Sequence, residues 1–159
     1  MEVISTTVNE QVHYAGFGRR LVAFILDSFI LSIPYSIVGS VFGLGFVGVF
    51  QNPDRYSGEA QTTIIASGII LYAVLYVVGL LYYALMESSP RQATIGKLAL
   101  DIKVMDMQGN RLTFGKALGR NLAKLISGMI FYIGYIMAAF TEKKQGLHDI
   151  VANVLVVKN

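Results

Sequence analysis

Residues 20–49 read RLVAFILDSFILSIPYSIVGSVFGLGFVGV. After Arg20, the 29 residues from Leu21 to Val49 carry a single charge, Asp27, seven positions beyond the arginine. About 20 mostly apolar residues suffice to cross a bilayer, so the stretch predicts a transmembrane helix over about 20–45. The surplus length has outlets: Pro34 can kink a helix by removing one backbone bond, and Gly43, Gly45 and Gly48 can end it. A carboxylate near the centre of such a helix costs roughly 2.5 to 3.5 kcal/mol on insertion scales unless something satisfies it. Asp27 is therefore the first candidate functional residue.

The rest of the chain extends this reading. Thr62 to Met86 is a second apolar run without a charge, predicting a span over 62–86. Tyr72, Tyr76, Gly79 and Tyr83 line one stripe of it, and Tyr82 and Tyr83 sit where an interfacial aromatic belt falls. Between the spans lies a polar loop, Gln51 to Gln61, with turn formers at Asn52-Pro53 and Ser57-Gly58. Residues 87–121 are basic, carrying Arg91, Lys97, Lys103, Arg111, Lys116 and Arg120 against Glu87, Asp101 and Asp106. The excess of Lys and Arg on cytoplasmic loops places this segment inside, together with Arg19, Arg20 and the polar tail over 1–18. The loop after the first span then lies outside.

Bulk composition agrees with this layout. The 159 residues are 54% hydrophobic and 14% charged, against about 25% charged in soluble domains. One domain over 1–159 accounts for the length. The absence of cysteine excludes disulfides, thiolate metal sites and cysteine nucleophiles. A cleaved signal peptide fits poorly, because Asp27 interrupts what would be its short apolar stretch.

Inside the basic segment, Leu98 to Asp106 alternates as a short strand does, and Gln108-Gly109-Asn110 reads as a turn. Thr113 is the expected cap of a helix starting at Phe114. On that helix Lys116, Arg120 and Lys124 recur every four residues, while Phe114, Ala117, Leu118, Leu122 and Leu125 form an apolar side. Such a helix lies among headgroups, attracted to anionic lipid by about 1 kcal/mol per basic residue. The plain alternative is a charged helix face docked on the spans. A third apolar element covers 122–140. Its core, Leu125 to Phe140, is 16 residues and short for a span, with Gly128 and Gly134 inside it. A full crossing would carry Lys143, Lys144 and Lys158 outside, against the charge rule, whereas a re-entrant hairpin would return the C-terminus. The tail, 141–159, holds a helical candidate over 146–153 and a β-rich run, Val154 to Val157, able to pair with Leu100 to Val104. The expected class is thus an all-α integral membrane protein. It has two transmembrane helices, a third transmembrane or re-entrant element, and a small cytoplasmic β and amphipathic-helix segment.

Four local patterns stand in order: Arg20-Leu-Val-Ala-Phe-Ile-Leu-Asp27, Gln92-Ala-Thr-Ile-Gly-Lys97, Leu118-Gly-Arg120-Asn121 and Leu147-His-Asp149-Ile-Val-Ala-Asn153. Together they resemble the RDD family of small bacterial and archaeal membrane proteins, over about Gly16 to Val157. By this resemblance the family's arginine falls on Arg20 and its aspartates on Asp27 and Asp149. One departure is visible: the family often continues to a Gly-Thr where this chain has Asn153-Val154. The resemblance implies a multi-pass protein of the cell membrane with a part in transport, including cation/proton exchange.

Two physical roles for the charged triad remain open. Arg20, shared between Asp27 and Asp149 with His148 beside them, would clasp the tail to the first span. Asp27 lies two turns deeper than Arg20, about 10 Å along the axis, so a bridging group is needed. Alternatively Asp27 is a proton or cation site, which on a two-span chain requires a homo-oligomer or a membrane protein partner. A different class of function is a non-transporting adaptor or scaffold, binding anionic lipid or a partner protein through Lys116, Arg120 and Lys124. No enzyme is expected. Gly96-Lys97 lacks the spacing of a phosphate loop, and His13 with His148 offers too few ligands for a metal. No cofactor and no nucleic acid are expected either, since basic residues interleaved with spans point to lipid headgroups.

Overall fold

The structure, a computed structural model, describes residues 13–129 and 133–159. Residues 1–12, most of the polar tail, lie outside the described residues. The first apolar run forms one helix, α1 (Phe17–Gln51), with Pro34 inside it. It passes all three glycines and ends where the Asn52 N–H reaches the Gly48 carbonyl at 3.0 Å. It thus outlasts the expected boundary near residue 45. Glycine's helix penalty is about 1 kcal/mol, whereas a backbone group left unbonded in lipid costs several. Gly48 also makes room for the return loop, since a Cβ there would stand 2.7 Å from the Tyr56 hydroxyl.

After a 3-10 turn, Pro53–Arg55, the Ser57 hydroxyl accepts the Ala60 N–H at 3.3 Å and opens α2 (Gly58–Glu87), four residues ahead of the expected span. Phe17–Ser40 and Gly58–Glu87 are each long and apolar enough to cross a membrane, and almost none of either is buried. Midway they touch where the Tyr35 hydroxyl donates to the Leu75 carbonyl at 2.8 Å, beside Gly79.

Everything after α2 gathers around the start of α1 and the end of α2. Ile95–Leu98 winds into a single helical turn, α3, so the expected strand shortens to β1 (Ile102–Asp106). The turn that follows has Gly109 at φ +84°, and the Asp106 carboxylate accepts the Gln108 and Asn110 N–H groups at 2.9 and 2.8 Å. Thr113 caps α4 (Phe114–Met129) as its position implied, its hydroxyl accepting the Lys116 N–H at 3.3 Å. The next helix, α5 (Ile133–Phe140), lies at 104° to α4. It folds back on α4: a Cβ on Gly134 would stand 2.7 Å from the Ser127 side chain, and the Tyr135 hydroxyl donates to the Lys124 carbonyl at 3.3 Å.

The tail supplies α6 (Leu147–Val151) and β2 (Val154–Lys158). β2 pairs antiparallel with β1, Ile102 opposite Lys158 and Asp106 opposite Val154, a register two residues along from the expected partner 100–104. Its other edge takes residues 13–15: Ala15 N–H donates to the Val156 carbonyl and Lys158 N–H to the His13 carbonyl, both at 2.8 Å. Asn153 turns α6 into β2 at φ +51°. That is the left-handed region, which asparagine tolerates best after glycine, so the departure at Asn153-Val154 preserves the turn. The core is small, with Ala23, Ala84 and Ala117 where helices meet and Ile102, Val104, Val154 and Val156 on the sheet.

Candidate functional site

Asp27 is fully buried about two helical turns beyond Arg20, and both oxygens of its carboxylate accept hydrogen bonds. Oδ1 accepts the Gly96 N–H at 2.8 Å and the Tyr82 hydroxyl at 2.9 Å, and Oδ2 accepts the Thr94 hydroxyl at 2.6 Å. The Tyr82 oxygen in turn accepts the Ile95 N–H at 3.3 Å. The first N–H groups of a helix lack internal partners, and here Asp27 of α1 and Tyr82 of α2 provide them for α3. The approach is so close that a Cβ on Gly96 would stand 2.2 Å from the Ala23 carbonyl. Only glycine fits.

A second cluster lies beside it. Glu87, the last residue of α2, is fully buried. Its Oε1 accepts from Lys97 and, at 2.7 Å, from Arg120, while Oε2 accepts from Asn121 at 3.0 Å. Arg120 also donates through Nε to Asp149 Oδ1 at 2.8 Å. The other oxygen of Asp149 accepts from Arg20 and from the Gly146 N–H at 3.1 Å. Arg120 is thus the hub of a continuous chain, Lys97–Glu87–Arg120–Asp149–Arg20, joining α3, α2, α4, α6 and α1. Lys124 stands 3.8 Å from Glu87 with its ammonium over the Tyr83 ring at 4.6 Å. His148 sits behind Asp149, Nε2 at 3.5 Å from Oδ1 and Nδ1 at 3.3 Å from the Ser127 hydroxyl.

Burial alone would raise the Asp149 carboxyl, but Arg120 and Arg20 together hold it below the ordinary carboxylate range. Burial pushes the His148 imidazole down to about 3, with Asp149 opposing and the nearby cations assisting, so the ring is neutral. Burial also lowers the Lys97 ammonium against the pull of Glu87. A buried ion pair is costly to desolvate and becomes worthwhile only when its remaining hydrogen-bonding groups are satisfied. Both carboxylates meet that condition.

The structure therefore brings Arg20 and Asp149 together, with His148 adjacent, and does not bring Asp27 to Arg20. Asp27 has its own seat, made by residues the sequence reading passed over as partners: Tyr82, Thr94 and Gly96. Glu87 was also passed over, although it is the only acid at the boundary between the second apolar run and the basic segment. The proposed headgroup stripe divides. Lys116 is half-buried at the surface, but Arg120 is 2% exposed and Lys124 points at Glu87 and Tyr83. Two buried carboxylates attract these cations more strongly than a hydrated headgroup could. Tyr82 and Tyr83 likewise turn inward, to Asp27 and Lys124, instead of forming a belt. Among the described residues, no group of three or more histidine, cysteine or acidic side chains could hold a metal ion.

A family model described as the RDD family matches residues 14–153. The uncharacterized protein YxaI of Bacillus subtilis (strain 168) is 39% identical over 149 residues, covering 90% of this chain and 96% of its own. The uncharacterized membrane protein YteJ of the same organism is 32% identical over 151 residues, covering 91% of this chain and 80% of its own. No solved structure matches.

Proposed function

The chain belongs to the RDD family, and from that premise we propose that it is a non-transporting membrane adaptor, a two-span anchor carrying a folded platform at one membrane surface. The observation behind this reading is the occupancy of Asp27. Three donors of the protein itself fill its carboxylate, whereas an ion-carrying acid needs a coordination position that a proton or cation can take and leave. Asp149 and Glu87 are occupied in the same way. In this reading the platform lies on the cytoplasmic side of the cell membrane, together with the N-terminus. The exposed Arg19, Arg91, Arg111 and Lys158 face anionic headgroups, and a membrane protein partner docks beside them.

Transport by an oligomer is the competing reading, and one experiment separates the two. The purified chain and Asp27→Asn are reconstituted in proteoliposomes, and proton and sodium flux are followed. The adaptor reading expects both to match empty vesicles. Flux above that background which Asp27→Asn abolishes, in a variant that still elutes as the wild type does, overturns the adaptor reading.

A further inference from the structure

An amphipathic helix on a water-facing surface turns its apolar stripe inward and its charges out. The helix α4 does the reverse. Arg120, Asn121 and Ser127 are buried against α2 and α6, whereas Phe114, Leu122, Leu125 and Ile126 are between 41% and 56% exposed. On α5, Ile133 and Ile136 are 56% and 44% exposed. The direction of α4 follows from its partners. Arg120 and Asn121 bond Glu87 at the end of α2, and Lys124 stands over Tyr83, one turn earlier on α2. As α4 advances it therefore runs back along the second span, away from the charged end. From Arg120 to Met129 this is about 13 Å at 1.5 Å per residue, under half of a hydrocarbon layer of about 30 Å. There α5 doubles back, and Asp149 returns to Arg20 at the starting level.

We propose that α4 and α5 form a wedge whose outward apolar face contacts the acyl chains of a single leaflet. The occupant follows from continuity. The face adjoins α2, whose Leu81 and Leu85 are 40% and 58% exposed on a helix suited to crossing the membrane. Lipid covering α2 at that depth covers α4 beside it. A buried polar seam with an outer apolar face is also what hydrocarbon surroundings require, since an unpaired charge turned outward there is expensive. The inference goes beyond the adaptor reading and stands or falls without it.

The chain has no cysteine, so single cysteines at Leu122, Ile126, Val74 and Gln108 can each carry an environment-sensitive fluorophore. The full chain is reconstituted in phosphatidylcholine–phosphatidylglycerol vesicles containing lipids with a nitroxide near the headgroup or near the bilayer centre. The wedge expects quenching at Leu122 and Ile126 several-fold above that at Gln108 on the exposed turn, and stronger with the shallow nitroxide. Val74, exposed midway along α2, should prefer the deep one. Quenching at Leu122 and Ile126 no greater than at Gln108 overturns the proposal in favour of water or a protein partner. A preference for the deep nitroxide, as at Val74, overturns it in favour of a full crossing. Leu125, 46% exposed between them, serves as the replacement position if either labelled variant loses the wild-type thermal transition.

Discussion

The two ends of the α1–α2 hairpin are built on opposite terms. At one end Asp27, Glu87, Thr94, Lys97, Arg120, Asn121, Ser127, His148 and Asp149 are all buried within a few turns of one another. At the other, Leu44 is 81% and Phe50 65% exposed, and Phe46 beside Gly68 is among the few contacts between the helices. In water the apolar end would be expected to cohere and the polar end to splay. In lipid the tails are as apolar as leucine, so apolar faces gain little by meeting, and association falls to close packing and hydrogen bonds. The polar seam is what holds these helices.

That contrast can be broken most directly at its hub. Arg120→Met would leave Glu87 and Asp149 buried without their shared cation. Removing one partner of a buried pair costs about 3 to 5 kcal/mol, so the variant should lose its cooperative thermal transition in detergent. A transition within a few degrees of wild type would mean the polar end does not hold the fold. Next in size is Gly96→Ala, whose methyl would meet the Ala23 carbonyl. Overpacking of this kind costs roughly 1 to 3 kcal/mol, and Asp27→Asn should cost no more than that, because the amide oxygen still accepts two of the three bonds. Equal tolerance of both would show that α3 is not seated on α1.

A smaller effect is expected from pH. An unfolded histidine takes up its proton near pH 6.5, but the folded His148 does so only near 3, so its contribution to stability is full above 6.5 and falls as pH drops toward 3. Asp149, also depressed, adds a loss of the same sign below the ordinary aspartate range near pH 3.9. His148→Gln should therefore flatten the decline in thermal stability between pH 6.5 and 4 while leaving the steeper loss below it. An unchanged slope would place the sensitivity elsewhere. The smallest effect belongs to the open end. Gly43→Ala meets nothing within 4 Å and should shift stability by no more than about 1 kcal/mol, in the stabilising direction. A large loss there would reveal a packed surface at the end described as open.

The long elements were legible because hydropathy is a local property. Both spans, the Thr113 cap, the Gln108-Gly109-Asn110 turn and the β-rich tail could each be read from neighbours within a few residues. The seats of the charges were not. Gly96 meets Asp27 across 69 positions, and nothing in its local sequence distinguishes a glycine needed for close approach from one in a loose loop. The stripe of Lys116, Arg120 and Lys124 left two readings open, a headgroup face or a face docked on the spans, for a related reason. Helical periodicity shows which residues share a face but not whether the medium outside is water or hydrocarbon, and that reverses which face is inner. The helix α1 runs on past Gly43, Gly45 and Gly48 because glycine breaks helices less readily in lipid than in water.

The pairing of Arg20 with Asp149 spans 129 positions, and residues 13–15 wait for β2 (Val154–Lys158) to close against them. On a ribosome adding 5 to 20 residues per second, that separation is roughly 6 to 26 s. The first span must therefore enter the membrane with its arginine lacking its final counter-ion and Asp27 awaiting a turn of chain not yet made. Residues made long after the first span complete its polar environment. A chain cut short before Asp149 would keep both spans yet lack residues that bind them.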